Sequence, residues 1–337
     1  MSNPRFALIS PTFKRPEEVT EFLQSLVELD FPQEKFEIIL GDGTPGDELR
    51  PLLVPFLSKL PLQIYYQEFL PVSDARNRAA ELSSADFFIF LDSDCIIPSG
   101  YLKSIESFLD THKEITLFGG PDAASETFTN LQKAISFSMT SFLTTGGIRG
   151  GKSALTVYHP RGFNMGIHSE LFKSVGGYDE NFICGEDVEL SIRLIAQGAK
   201  SAFIEPAYVY HKRRTSISQF RRQVFRFGAA RPLLAQAHAG NLKITHLFPA
   251  LFTMYRWISL LLVALYLYSG LLWTLLPFIG YIAYMSTVFI AALCKENLSV
   301  ALLVMKTTTT MNAGYGWGFA RNFWEVFVRG NSKGIQL

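Results

Sequence analysis

Two aspartates one residue apart are the first feature of the sequence that could do chemistry. Asp92 and Asp94 follow directly after the apolar run "FFIFL". Carboxylates spaced in this way on a turn can both face one hard cation, such as Mg²⁺ or Mn²⁺, whose remaining ligands are commonly waters and a diphosphate. An ordinary polar turn is the alternative, and the short Asp-x-Asp pattern does not by itself decide between the two.

Other polar residues could bind a nucleotide. Asp42, in "LGDGT", follows a second apolar run and could accept hydrogen bonds from a base N–H or a ribose hydroxyl, unless it only forms an Asp-Gly turn. Arg76 stands early in a predicted helix and suits phosphate or base carbonyls, with a surface salt bridge as the alternative. Glu186 and Asp187 open another predicted helix, where the helix dipole alone would favour carboxylates.

Short apolar runs are the elements that must position these residues. They cover residues 6–10, 36–40, 62–66 and 86–91. Each is continuous rather than alternating, which is typical of strands buried on both faces of a parallel sheet. Helical patterns between them predict a doubly wound α/β sheet. Ligands bind such sheets at the carboxyl ends of the strands, and Pro11, Asp42 and Asp92 all fall there.

Charge divides the chain into two unlike parts. Residues 1–205 carry 17 Lys/Arg and 28 Asp/Glu, an excess of 11 acids, whereas residues 206–337 carry 14 Lys/Arg and 2 Asp/Glu, an excess of 12 bases. The second part is also apolar, as expected of a segment at an anionic membrane surface. The three cysteines show no metal-ligand or redox spacing, so we expect free thiols in a reducing compartment. The N-terminal apolar run is too short for a signal peptide.

The C-terminal part predicts a membrane hairpin. No charge occurs from Trp257 to Cys294, a stretch too long for one span and suited to two short ones. The break falls either at Ser269-Gly270 or at Pro277. Basic residues on both sides predict that both ends face the cytoplasm. The segment from Leu298 onward predicts an amphipathic interfacial helix or a third short span.

Five motifs in order carry a resemblance. They are "ISPTFKRPEEVTEFLQSL", "FEIILGDGT", "PVSDARNRAAELSSADFFIFLDSD", "RGFNMGIHSELFKSVGGYDENFICGEDVELSIRL" and "QFRRQ". Over residues 5–230 the chain resembles a family 2 (inverting) glycosyltransferase. The apolar end with "AGYGWGF" is similar to membrane-anchored members that build bacterial exopolysaccharide, such as succinoglycan glucosyltransferases. The resemblance implies a GT-A fold, Rossmann-like with a mostly parallel sheet, over residues 1–235, and membrane-anchoring helices over residues 236–337.

The resemblance also implies roles for single residues. The nucleotide-sugar-binding set is Pro11, Thr12, Arg15, Asp42, Arg76, Asp92, Asn164, Gln219 and Arg222. Asp94 is the expected main metal ligand, with Asp92 and, as one of two equal readings, His211. Asp187 matches the catalytic base, with Glu186 beside it. Gly41 departs from the pattern, because it replaces the usual first acid of the second motif.

The implied activity is transfer of a sugar from a UDP- or GDP-sugar to an acceptor hydroxyl, with Mn²⁺ or Mg²⁺ as cofactor. The expected acceptor is a lipid-linked glycan or another glycan, at the inner membrane with the catalytic domain in the cytoplasm. We expect the basic stretch 212–231 to meet membrane lipids or a lipid-linked diphosphate, and we expect no nucleic acid. The alternatives are a processive polysaccharide synthase, disfavoured by Gln223 where such enzymes carry Trp, and a nucleotidyltransferase.

Overall fold

The computed structural model describes residues 3–123, 128–145 and 158–331, apart from the side chain of Asp47. The chain forms two compact units. The first comprises Met1–Ser125 and Ala154–Lys212, and the second Glu126–Ser153 and Arg213–Leu337. This division concerns packing, and the domain boundary at residue 235 stays a prediction.

Strands and helices are numbered along the chain. The strands, all in the first unit, are β1 (Phe6–Thr12), β2 (Phe36–Asp42), β3 (Leu62–Tyr66), β4 (Phe87–Leu91), β5 (Cys95–Ile96), β6 (Leu117–Gly119), β7 (Asp122–Ala123), β8 (Asn164–His168), β9 (Ser201–Phe203) and β10 (Val209–His211). The helices of that unit are α1 (Pro16–Val27), α2 (Arg50–Leu57), α3 (Val72–Glu81), α4 (Tyr101–Thr111), α7 (Ser169–Ser174) and α8 (Glu186–Ala196). Those of the second unit are α5 (Asn130–Thr140), α6 (Phe142–Thr145), α9 (Ile217–Ala237), α10 (Phe248–Ser269), α11 (Leu276–Leu293) and α12 (Leu298–Phe323).

The main sheet of the first unit has the strand order β3-β2-β1-β4-β8-β6-β9. The pairs β1–β2, β1–β4, β2–β3 and β6–β9 are parallel, and β8 runs antiparallel to both of its neighbours. A second, three-stranded sheet has the order β5-β10-β7, and its strand β5 follows β4 closely in the sequence. The predicted α/β fold with a mostly parallel sheet is therefore confirmed.

Both faces of the sheet are covered, which explains the continuous apolar runs. On β1, Phe6 and Leu8 join one hydrophobic cluster with α1 residues such as Phe22, while Ala7 and Ile9 join another. Successive side chains of a strand point to opposite faces, so a strand covered twice has no polar face. The polar residues that follow these runs are consequently gathered at one edge.

The second unit is a helical body with an apolar hairpin. Helix α12 packs on α9 through glycines: a Cβ on Gly228 would lie 2.0 Å from the Tyr315 oxygen. Among the described residues, two helical segments have the length and composition to cross a membrane, Phe248–Ser269 and Leu272–Leu293. Helix α12, predicted as an interfacial helix or third span, is not one of them.

The hairpin break uses both predicted positions. Gly270 ends α10 in the left-handed conformation, with φ of 70°. Residues Leu272–Leu275 then form a 3₁₀ turn, and Pro277 lies in the first turn of α11, where a missing N–H costs nothing. Glycine stops one helix and proline starts the next.

Candidate active site

At the carboxyl end of β4, Asp92 and Asp94 lie near His211, which follows Asp94 by 117 positions in the sequence. In the small sheet Cys95 is the register partner of His211. That pairing places His211 Nε2 3.1 Å from Asp94 Oδ1 and 3.9 Å from Asp92 Oδ2. Phe163 stacks on the imidazole ring, with centroids 4.9 Å apart. The structure thus joins the three residues that the sequence offered as metal ligands.

This cluster has the donor atoms that a divalent cation needs. Asp94 is almost fully buried, and Asp94, Cys95 and His211 each offer an atom within 4.8 Å of the others. Burial, together with the charges of Asp94 and Asp92, raises the pKa of the Cys95 thiol well above its usual range. A thiol is also a softer ligand than the oxygen donors that Mg²⁺ and Mn²⁺ prefer. Carboxylate oxygens and an imidazole nitrogen remain, a donor set that suits Mn²⁺.

Arg15 contacts the same carboxylate from the other side. Its Nη1 donates to Asp94 Oδ2 at 2.6 Å, from the residue immediately before α1. A guanidinium next to a cation site can serve the anionic ligand that a cation attracts, because its fork matches phosphate oxygens. The predicted nucleotide contact of Arg15 therefore lies directly beside the predicted metal ligands.

Arg76 holds the centre of the site. Its side chain extends from α3 and is only 2% exposed. Arg76 Nη2 lies 2.8 Å from Asp92 Oδ1, and Nη1 lies 3.0 Å from Glu186 Oε1. Its guanidinium lies 5.1 Å from the centre of the Tyr178 ring. Burial disfavours the charge, but Tyr178 and the two carboxylates outweigh it and raise the pKa of Arg76. The surface salt bridge weighed as an alternative for Arg76 is wrong.

Glu186 and Asp187 lie at the first turn of α8 and differ in their contacts. Asp187 accepts hydrogen bonds from two backbone groups, Gly162 N at 3.0 Å and Val188 N at 2.7 Å, which fix the plane of its carboxylate. Burial, then the neighbouring Asp187, raise the pKa of Glu186 to about 7, against the opposing effect of Arg76. The pair therefore offers one rigidly oriented acid and one whose charge changes near neutral pH.

Pro11, Thr12 and Asp42 end two neighbouring strands. Pro11 pairs with Gly41, and Thr12 with Asp42. Asp42 is fully buried, and its Oδ1 accepts the Thr44 backbone N–H at 2.9 Å. The turn explanation for Asp42 is therefore partly realised, at the edge that also holds Asp92.

Gly41, the departure from the family pattern, has a steric reason. A Cβ at this position would lie 2.9 Å from both the carbonyl oxygen and the Cβ of Ala75 on α3. Helix α3 packs so closely on β2 that no acidic side chain fits there. The close packing also sets the depth at which α3 delivers Arg76.

Two predicted binding residues have other contacts in the structure, and a third is exposed. Asn164 is buried: its Oδ1 accepts the Tyr101 hydroxyl at 2.6 Å, and its Nδ2 donates to the Ala207 oxygen at 2.8 Å. Gln219, in the second unit, accepts from the Thr215 N–H at 3.3 Å in the first turn of α9. Arg222 lies exposed on the same helix. The predicted roles of these three in binding stay predictions.

The sequence patterns did not predict a pair of aromatic side chains at the same edge of the sheet. Phe13 follows β1 and Phe69 follows β3; both rings are exposed, and their centroids lie 6.3 Å apart. Phe69 has a φ of 56°, and Lys14, the residue after Phe13, has a φ of 52°. Such backbone conformations are uncommon for these residues and tend to mark functional loops. The only sequence signal was a phenylalanine directly after the Pro-Thr of the first motif.

Comparison with known proteins decides the family. Residues 7–174 match the model of glycosyl transferase family 2. This chain belongs to that family. The match covers β1 to β4, α3 and both aspartates, so the resemblance drawn from the five motifs is confirmed, and the nucleotidyltransferase alternative is set aside. The chain is a glycosyltransferase.

Relatives of this glycosyltransferase extend beyond the family domain. It is 25% identical over 338 residues to the dolichyl N-acetyl-alpha-D-glucosaminyl phosphate 3-beta-D-2,3-diacetamido-2,3-dideoxy-beta-D-glucuronosyltransferase of Methanococcus voltae, covering 97% of this chain and 98% of that enzyme. It is 27% identical over 198 residues to the succinoglycan biosynthesis protein ExoA of Rhizobium meliloti, covering 58% of this chain and 59% of that protein.

The fold also has solved counterparts. The mannosyltransferase PcManGT of Pyrobaculum calidifontis, in complex with GDP-Man and Mn²⁺, superposes with a TM-score of 0.60 at 17% identity. The superposition covers 96% of this chain and 88% of that chain. At this identity the likeness concerns the fold, which agrees with the predicted GT-A architecture.

Proposed function

We propose that this glycosyltransferase moves one sugar from a nucleoside-diphosphate sugar to a hydroxyl of a lipid-linked glycan, with inversion at the anomeric carbon. The observation that carries the proposal is the single edge of the sheet that gathers Arg15, Arg76, Asp92, Asp94 and Asp187. The Methanococcus relative, which is named as acting on a dolichyl-phosphate-linked sugar, supports the acceptor class. The mannosyltransferase complex with GDP-Man and Mn²⁺ supports the donor class.

The cation is proposed to be Mn²⁺ or Mg²⁺, held by Asp94 with Asp92 and His211. Such an ion neutralises charge on a diphosphate and stabilises its departure. The residues fit this use, because the carboxylates of Asp92 and Asp94 and the imidazole nitrogen of His211 converge there. Arg15, 2.6 Å from Asp94, would then be available to the phosphate oxygens.

The nucleoside is proposed to lie at the ends of β1 and β2. The exposed rings of Phe13 and Phe69, tilted by 47° to each other, each offer an apolar face, and stacking of a base on an aromatic side chain is favourable for any base. Asp42, at the end of β2, is the proposed acceptor for a base N–H or ribose hydroxyl. In the structure its carboxylate is fully buried, and Oδ1 accepts the Thr44 N–H. Phe13→Ala should therefore weaken nucleotide binding without changing the preference for the sugar.

Asp187 is proposed as the base that takes the proton of the acceptor hydroxyl. Its two backbone hydrogen bonds hold the carboxylate in one orientation, as a base for a single in-line attack requires. One displacement inverts the anomeric carbon, so an α-linked donor gives a β-linked product. Glu186, paired with Arg76, would keep that arginine in place beside Asp92.

The membrane part extends the proposal to partners and location. We place the enzyme on the inner face of the cytoplasmic membrane, with membrane lipids and no nucleic acid as partners. The two apolar helices and the excess of basic residues after Pro206 support this location. A reporter fused to the C-terminus should be cytoplasmic; a signal from the opposite side would refute the orientation.

Asp187→Asn is the test of the mechanism. The variant should bind nucleotide sugar with unchanged affinity and lose transfer by about 10²-fold or more, since general-base catalysis contributes about that much. Glu180→Gln, an acidic residue outside the site, is the matched control. Retained turnover in Asp187→Asn, or loss of nucleotide affinity instead, would remove Asp187 from the role of base.

A further inference from the structure

An arginine interrupts the first apolar helix. Arg256 lies in α10, and its Nε is buried without a hydrogen-bond partner among the described residues. Its guanidinium stacks over the Trp257 ring at 5.0 Å. No Asp or Glu occurs between Pro206 and Lys295, so neither α10 nor α11 carries a carboxylate for it. An arginine among apolar residues with no carboxylate on either helix of its pair points to an anion from outside that pair.

The hairpin register fixes the level of this arginine. The Tyr255 hydroxyl donates to the Pro277 oxygen at 2.6 Å. One turn earlier, the Phe252 ring packs against Tyr281 and Tyr284 of α11, with centroids 5.8 and 5.0 Å away. Arg256 therefore lies level with the beginning of α11, although it precedes the end of α10 by thirteen residues.

The other ends of both helices are fixed in the helical body of the second unit. A Cβ on Gly316 of α12 would lie 2.8 Å from Cα of Ala250, so α10 touches α12 before it reaches Arg256. In α11, Val288 and Ala292 are fully buried in a cluster with Val300 of α12. Residues 257–276, which we call the hairpin tip, lie beyond these contacts, and exposed apolar side chains also continue toward the body, as at Phe248, Leu251 and Ile279.

The hairpin tip is apolar, exposed and short. It carries no charge, and its exposed side chains include Trp257, Leu261, Leu267, Tyr268, Leu272 and Trp273. From Arg256 to Ser269 the helix rises thirteen residues, about 20 Å. The hydrocarbon core of a bilayer is about 30 Å thick. A tip of this length enters the core but does not reach the opposite surface while Arg256 stays at the headgroups.

We propose that the α10–α11 hairpin is a monotopic insertion: the hairpin tip enters one leaflet without crossing the bilayer, and Arg256 at its base binds the phosphate of a membrane phospholipid. A guanidinium donates a planar fork that matches phosphate oxygens. The neighbours Tyr255 and Trp257 are of the type that concentrates at the headgroup level. The insertion goes beyond the proposed sugar transfer and does not depend on it.

Depth measurement tests the insertion. In a full-length chain with the native cysteines replaced by serine, Tyr268→Cys carries a thiol at the hairpin tip and Ser218→Cys one on the exposed face of α9. After reconstitution in phospholipid vesicles, a fluorophore attached at position 268 should be quenched by lipids brominated deep in the acyl chain. In a separate, unlabelled sample, the thiol at position 268 should not react with a membrane-impermeant reagent added to either side of the vesicle membrane. Labelling of position 268 from the side opposite position 218 would overturn the proposal.

Vesicle partitioning tests the phosphate contact. A basic residue at a lipid surface strengthens binding about fivefold, so Arg256→Ala should weaken partitioning into phosphatidylglycerol vesicles by about that factor. Arg256→Lys should lose part of it, because the charge stays but the fork is lost. The exposed Arg78→Ala in the first unit should change nothing. An effect of Arg256→Ala that equals that of Arg78→Ala, or that appears only when polyprenyl phosphate is added, would refute binding to a phospholipid.

Discussion

Replacing Arg76 by methionine should destabilise the first unit because it leaves two carboxylates without their cation. Arg76 is 2% exposed and lies within 3.0 Å of both Asp92 and Glu186. Breaking a buried ion pair by removing one partner costs about 3–5 kcal/mol. The Asp92 side chain is 35% exposed, so water screens part of its share, and we expect about 3 kcal/mol.

This loss corresponds to a fall in melting temperature of about 6–12 °C for a unit of this size. Scanning fluorimetry of the detergent-solubilised protein measures it directly. The deficit should be smaller at pH 5.5 than at pH 8, because Glu186, with a pKa raised to about 7 by burial and Asp187, is protonated in the acidic sample. Arg78→Met on the same helix, exposed and outside the site, is the matched control. An Arg76→Met protein that melts like the control, or whose deficit ignores pH, would refute the reasoning.

Two further predictions concern stability. Since burial and Asp187 raise the folded-state pKa of Glu186 to about 7, from 4.5, the folded protein keeps a proton that the unfolded chain has lost. Its free energy of unfolding should therefore fall by up to about 3 kcal/mol as the pH rises from 4.5 to about 7. Urea titrations at a series of pH values measure this dependence, and Glu186→Gln should abolish that part of it. Gly41→Ala should lower the free energy of unfolding by about 1–3 kcal/mol, because the new Cβ overpacks against Ala75. Gly100→Ala should not, because no atom lies within 4 Å of a Cβ at that position. Equal melting curves for the two variants would contradict the tight β2–α3 contact.

The strand ends of the site were predictable because local pattern and sheet geometry agree. Continuous apolar runs fit strands covered on both faces, and parallel strands end at one edge, so Pro11, Asp42 and Asp92 were expected at the same edge. The fold class followed from the same pattern, whereas the role of Asp94 as main metal ligand came from the family resemblance and stays a prediction. These inferences used only short stretches of chain.

Contacts between distant segments were beyond such patterns. His211 meets Asp94 because a two-residue strand, β5, pairs with β10, and pairings this short leave no periodic signal. Phe69 and Lys14, which follows Phe13, adopt positive φ values that phenylalanine and lysine rarely show, so the local conformation around the aromatic pair could not be read from propensity. Asn164 looked like a pocket residue by motif, yet its amide is used by Tyr101 and Ala207, which only the tertiary structure brings to it.

Asp94 is proposed to organise a cation and a nucleotide-sugar diphosphate for transfer, and the proposed function depends most on this role. The decisive measurement is the release of nucleoside diphosphate from a panel of UDP- and GDP-sugars, with Mn²⁺ and membrane lipid extract, by the wild type and by Asp94→Asn. Asp110→Asn, an exposed aspartate of α4, is the control. We predict Mn²⁺-dependent turnover of at least one donor, unchanged in the control and lost by about 10²-fold or more in Asp94→Asn. Turnover by Asp94→Asn at the wild-type rate, with the same dependence on Mn²⁺, would contradict the account.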